Sequence, residues 1–142
     1  MTHITTAATL TLTLLAAPAL ADGDAAKGAK EFGKCKSCHM IATADEIIVK
    51  GGKTGPNLFG VIGRTAGTAD FKYGADLVAA GEAGLVWSEE TLARYIEDPR
   101  AFLQDVLGDK GAKSRMSFKM RKGADDVAAY LATEANGAAP AN

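Results

Sequence analysis

Two thiols and an imidazole stand together in Cys35-Lys36-Ser37-Cys38-His39, a run that holds both cysteines of the chain and the only histidine beyond residue 3. A three-residue step is close to one helical turn, so both sulfurs reach the same side. Thiols so placed can add across the two vinyl groups of a haem as thioethers, and the imidazole that follows then faces the iron as its proximal ligand. One covalent haem c is therefore the cofactor this run predicts.

Other chemistries of the same residue types fit less well. A thioredoxin-like dithiol expects a strand-helix setting, and the residues around Phe32-Gly33-Lys34 carry no strand pattern. A tetrahedral zinc site needs further ligands, but the chain has no second cysteine pair and no spare histidine. A Cys35–Cys38 disulfide would close a very short loop and add little stability. Gly52-Lys53-Thr54 invites a phosphate-loop reading, but Ile47 stands where that pattern needs its first glycine.

A neutral thioether as sixth ligand would favour reduced iron and raise the potential. The chain has four methionines. Met1 is expected to leave with a signal segment, and Met40 adjoins His39 on the proximal side. Met116 and Met120 remain as candidates.

Helices joined by loops must position these groups. Asp24 to Lys34 alternates small or aromatic residues with charges as a short amphipathic helix would, ending next to the two thiols. Lys50 to Asn57 is rich in turn residues and is expected to be irregular. Ser88 can cap a helix that runs through Tyr95 and stops near Asp98-Pro99. Asp98 and Pro99 can start another through Leu107, with Gly108 ending it. A last helix is expected from Ala124 to Glu134, with Val127, Tyr130 and Leu131 on its apolar face, and the tail from Asn136 to Asn142 as disordered. No segment shows the period-2 alternation of a sheet, and the expected fold class is all-α.

The chain has 142 residues, a net charge of −1 and only 6% aromatic residues, so a buried macrocycle would supply core that side chains do not. Met1 to Ala21 has no charged side chain, an apolar run from Ala7 to Ala17, and Ala19-Leu20-Ala21 before Asp22. This reads as a secretory signal cleaved after Ala21, although it lacks a basic start. The apolar run is shorter than the roughly 20 residues needed to span a bilayer, which argues against an uncleaved anchor. One domain, residues 22–135, is expected to follow, in the periplasm and without stable membrane insertion.

From Asp24 to Glu134 the chain resembles class I cytochromes c, most closely the longer cytochromes c2 of alphaproteobacteria. The matching residues are Lys27-Gly28 and Phe32 before the thiols, Thr54-Gly55-Pro56-Asn57-Leu58, Gly63-Arg64-Thr65, Phe71-Lys72-Tyr73, Val86-Trp87-Ser88 and Ser114-Arg115-Met116-Ser117-Phe118. The resemblance implies short helices and loops wrapped around one haem, with Gly28 letting the first and last helices cross closely at Tyr130 and Leu131. It implies that the Pro56 carbonyl accepts a hydrogen bond from His39, and that Arg64, Tyr73 and Trp87 reach the haem propionates. Tyr95 would bond the sulfur of the distal methionine, and Met116 would be that ligand. Extra residues around 44–48 and 105–112 match the long c2 subgroup.

Between Lys110 and Lys122 six cations occur without an acid, and Lys34, Lys36, Lys50 and Lys53 add to them. A basic rim around the haem edge would steer docking to acidic partners. Nucleic-acid binding is disfavoured at this net charge in an exported chain. The resemblance implies a monomeric, non-enzymatic carrier between a cytochrome bc1 complex and a photosynthetic reaction centre or cytochrome oxidase. Two alternatives stand beside it: a five-coordinate haem acting as gas sensor or small peroxidase, and a dedicated redox subunit of one enzyme.

Overall fold

The computed structural model describes residues 23–138; the expected signal segment and most of the tail lie outside the described residues. The first helix, α1 (Ala25–Glu31), starts where Asp24 turns its carboxylate onto the N–H groups of Ala26 and Lys27. It tightens into a 3-10 turn, Phe32–Lys34, that leads into the two thiols. Three helices follow a long irregular stretch: α2 (Ala75–Glu82), α3 (Glu89–Glu97) and α4 (Pro99–Leu107). The last, α5 (Ala124–Leu131), is followed by a 3-10 turn, Glu134–Asn136.

The helix signals of α3 and α4 act as expected. Ser88 and Thr91 cap each other reciprocally, with Ser88 Oγ accepting from Thr91 N–H at 3.1 Å. Asp98 accepts from Ala101 N–H at 3.1 Å, Pro99 fills the first turn, and Gly108 ends α4 in a left-handed conformation. α2 carries no such signal: Gly74 stands at its cap without a side chain to hold the first turn.

Two expectations need correcting. Ile41–Ala42 (β1) and Ile47–Val49 (β2) form a small antiparallel ribbon, too short and too irregular in register for alternation to reveal it. The tail does not begin at Asn136: that residue is 1% exposed and belongs to the closing 3-10 turn, while the last helix ends at Leu131.

The crossing of α1 and α5 is the central packing contact. A Cβ on Gly28 would lie 1.8 Å from the Asp126 carbonyl oxygen and 2.8 Å from Tyr130 Cβ, so only glycine allows this approach. Asp126 Oδ1 accepts from Asp24 N–H at 2.8 Å, and Phe32 packs against the Tyr130 ring at 5.6 Å between centroids. A second cluster joins α3 and α4, where Trp87, Tyr95 and Phe102 lie 5.1 to 6.0 Å apart.

Gly28→Ala forces these two helices apart and is expected to cost about 3 kcal/mol, at the upper end of overpacking penalties. Thermal unfolding of the haem-loaded variant measures this; an unchanged midpoint would show that the crossing tolerates a methyl group.

Candidate functional site

Cys35 to His39 forms one helical turn, with the N–H groups of Cys38 and His39 both donating to the Cys35 carbonyl at 3.1 and 2.9 Å. The two cysteines form no disulfide; Cys35 is half-buried and Cys38 exposed. Burial pushes the Cys35 thiol up to about 11, with the neighbouring Cys38 adding to the effect. Hydroxyl groups of Thr54 and Ser37 lower that of Cys38.

His39 Nδ1 lies 2.8 Å from the Pro56 carbonyl oxygen. A carbonyl only accepts, so Nδ1 carries the proton and Nε2 keeps its lone pair. Burial lowers the His39 pKa, opposed by the Pro56 bond, and so favours the neutral ring that a metal needs. Gly55 makes room for it: a Cβ there would fall 2.4 Å from His39 Cε1.

The segment after Pro56 is held closely. Asn57 exchanges two hydrogen bonds with the Ala42 backbone, at 3.1 and 2.7 Å, which ties it to β1. The Arg64 guanidinium donates to the carbonyls of Asn57 and Phe59, each at 3.2 Å. Burial lowers the Arg64 pKa and raises that of Tyr73, while each of the two opposes the shift of the other.

Cys35, Cys38 and His39 border a cleft of about 480 Å³, within the usual range of ligand and cofactor sites. Pro56, Arg64, Tyr73, Trp87, Tyr95 and Met116 line it as well, so every site residue expected from sequence meets in one place. Leu58, Leu77, Leu92, Ile96 and Leu131 supply much of its apolar wall. Met120 is not part of that lining. It is 3% exposed in the core, with its N–H on the Ile96 carbonyl at 3.0 Å.

The Tyr95 hydroxyl meets Ser114 Oγ at 3.2 Å, not the Met116 sulfur. Ser114 Oγ also accepts from Met116 N–H at 3.1 Å, so one short side chain links the tyrosine to the methionine loop. Burial raises the Tyr95 pKa, against the lowering effect of Ser114. Arg115 anchors the same loop by donating to the Lys72 carbonyl at 2.9 Å, and Lys113 N–H donates to Asp76 at 2.7 Å.

The donor set fits a c-type haem. Two thiols border an apolar cleft next to a neutral imidazole, a thioether lies in the same cleft, and cationic and hydroxyl groups are available for carboxylates. No protein-family model matches the chain. Cytochrome c-551 of Roseobacter denitrificans is 60% identical over 130 residues, spanning 91% of this chain and 94% of its own length. Cytochrome c2 of Rhodobacter capsulatus is also 60% identical over 130 residues, spanning 90% and 94%. The chain belongs to the cytochrome c2 family.

Solved structures agree. The Rhodobacter capsulatus cytochrome c2 structure matches with a TM-score of 0.77 at 60% identity, covering 79% of this chain and 98% of that one. The cytochrome c2 structure from Paracoccus denitrificans matches with a TM-score of 0.76 at 50% identity, covering 81% and 98%. The fold is that of class I cytochromes c, and the chain is an electron carrier with one covalently attached haem c, not an enzyme.

Sequence reasoning did not assign roles to Gly55, Asn57 or Ser114. The first two lie inside the Thr54-Gly55-Pro56-Asn57-Leu58 match, where their adjacency to Pro56 was the available signal. Ser114 lies two residues before Met116, where a hydroxyl can reach back to the backbone.

Arg64→Gln removes the grip on the Asn57 and Phe59 carbonyls, and we expect it to cost about 1–3 kcal/mol. Denaturant unfolding of the haem-loaded protein tests this; a loss below about 0.5 kcal/mol would assign the two bonds to a solvated surface contact.

Proposed function

We propose that this cytochrome is a soluble, monomeric carrier of the periplasm, exported by a signal cleaved after Ala21, that takes electrons from a cytochrome bc1 complex and delivers them to a photosynthetic reaction centre or cytochrome oxidase. Among the described residues no helix is long and apolar enough to cross a membrane. The observation that carries the site reading is the Pro56–His39 hydrogen bond beside a cleft that also holds both thiols and Met116.

In this reading Cys35 and Cys38 would hold the haem through thioethers, and His39 and Met116 would bind its iron. The haem iron supplies a one-electron Fe(II)/Fe(III) couple. Pro56 fixes the ring orientation of His39 and raises its basicity through the Nδ1 proton. Apolar walls keep water from the ligands, and Met116 contributes a neutral donor that favours the reduced state. Arg64, Tyr73 and the Trp87 indole serve the propionates, whose charges need donors when buried. Tyr95 holds the methionine loop through Ser114.

Docking is assigned to the basic residues near the cleft. Lys34, Lys113 and Arg115 line its rim, and the neighbouring sequence to Lys122 adds further cations. The acid-free appearance of that stretch does not extend to its surroundings: Lys119 pairs with Asp98 at 2.6 Å, and Lys34 pairs with Glu31. The acids Glu89, Glu90, Asp125 and Asp126 sit in the first turns of α3 and α5.

Met116→Ala is expected to abolish the weak red charge-transfer band of the oxidised protein, whereas Met120→Ala keeps the band and loses about 2–5 kcal/mol of stability as a core truncation. Absorption spectra and melts of both variants decide this. Loss of the band in Met120→Ala alone would reassign the ligand, and its absence in the wild type with rapid carbon monoxide binding would favour the five-coordinate reading.

Electron transfer from a solubilised bc1 complex is expected to slow about tenfold as the Debye length shrinks from about 10 Å at 0.1 M salt to about 3 Å at 1 M. Stopped-flow rates across that range measure it. A flat salt profile would remove the basic rim from the docking step.

A further inference from the structure

We infer that the turn following the last helix is a latch that positions His39, acting through the loop that bears Pro56; this rests on the reading of His39 as proximal ligand. Four successive N–H groups of the loop, residues 58 to 61, are paired within the protein. Leu58 N–H donates to the Met40 carbonyl at 3.0 Å, Phe59 N–H to Asn57 Oδ1 at 3.1 Å, and Val61 N–H to the Leu58 carbonyl at 3.2 Å. The partner of Gly60 N–H comes from the far end of the chain: the Asn136 carbonyl, at 2.7 Å. This is the shortest of the four.

The Asn136 side chain sets that carbonyl in place. Its Nδ2 donates to the Tyr130 carbonyl at 2.8 Å and to Thr133 Oγ1 at 3.1 Å, so it caps the end of α5 while its own backbone reaches back to the loop. Gly137 completes the contact. Its φ is +85°, and a Cβ there would fall 2.8 Å from the Phe59 ring and 2.9 Å from Gly60 N. Two adjacent residues thus lie against Phe59 and Gly60, three and four positions from the carbonyl that holds His39.

Since α5 is locked to α1 at Gly28, the latch ties that frame to the proximal loop. Releasing it leaves a half-buried N–H without its partner, and the Phe59–Gly60 peptide is then held only at its carbonyl, by Arg64. Pro56 then bonds His39 less steadily, the imidazole becomes a weaker donor to ferric iron, and the midpoint potential rises. Asn136 and Gly137 are positioning residues in this scheme; they do not line the cleft.

The test uses the haem-loaded protein, with hydrogen exchange read by NMR at Gly60 N–H and at the His39 Nδ1 proton, and with the Tyr95 amide in α3 as the measure of global opening. A chain ending after Thr133 and the variant Gly137→Ala should exchange both protons about tenfold faster relative to Tyr95 and show a raised midpoint potential. Asn136→Ala, which keeps the backbone carbonyl, should show a smaller effect in the same direction and serves if the shortened chain does not fold. A chain ending after Ala138 should behave as the full one. Wild-type exchange ratios at both protons in Gly137→Ala and Asn136→Ala would overturn the proposal. Faster exchange at Gly60 with no change at His39 and no shift in potential would overturn it as well, leaving only a stabilising contact. Failure of His39 as ligand would appear separately, as a wild-type spectrum without histidine ligation, and would not alter the Gly60 rate.

Discussion

The hydrogen bond between His39 Nδ1 and the Pro56 carbonyl fixes three things at once. It sets the tautomer, because the proton must lie on Nδ1; it sets the ring plane, because the carbonyl has one direction; and it sets basicity, because the donor is polarised. Each depends on the carbonyl staying in place. Much of the irregular segment between β1 and α2 can be understood from that requirement, since its hydrogen bonds converge on residues 57 to 61 and the ring itself rests against Gly55.

Irregular backbone normally runs over the surface, where water satisfies it. Here it forms the wall of an apolar cleft, so its polar groups have to be satisfied by protein. Asn57 uses both ends of its amide on Ala42, and Arg64 uses two nitrogens on two carbonyls. The little β-ribbon acquires a purpose in this light: it provides the stable edge to which Asn57 attaches. Helices contribute less to the proximal side than loops do, even in an all-α fold.

Legibility in the sequence followed the same division. Local signals gave α3 and α4 almost to the residue, because Ser88, Asp98, Pro99 and Gly108 act within one turn of themselves. The site residues were legible because rare types cluster at Cys35 to His39 and because loop motifs match a family. α2 was not, since its cap is Gly74 and three of its five apolar residues are alanine. The ribbon was hidden by its two- and three-residue strands. Asn136 was misjudged because its neighbours Ala135, Gly137 and Ala138 are small, while its carbonyl is bonded to Gly60, far away in the chain. Long-range contacts of single residues leave no periodic trace.

The two sides of the cleft are built with different stiffness, and this bears on function. On the proximal side the Cys35–His39 turn, the Gly55 platform and the hydrogen-bonded loop at residues 57 to 61 hold one imidazole. On the distal side the methionine segment lacks regular structure and is held at Lys113 by Asp76, at Ser114 by Tyr95, and at Arg115 by the Lys72 carbonyl. Two of these three anchors use exposed residues, where competing water weakens each bond. A carrier needs its iron ligands to move little between oxidation states, which demands a rigid proximal frame. In the proposed ligation by Met116, a weak donor, the bond to iron would add a further restraint on this loop, so loop order and ligation would stabilise one another. Rigidity on one side and mutual support on the other together let a small chain without disulfides hold a single redox geometry.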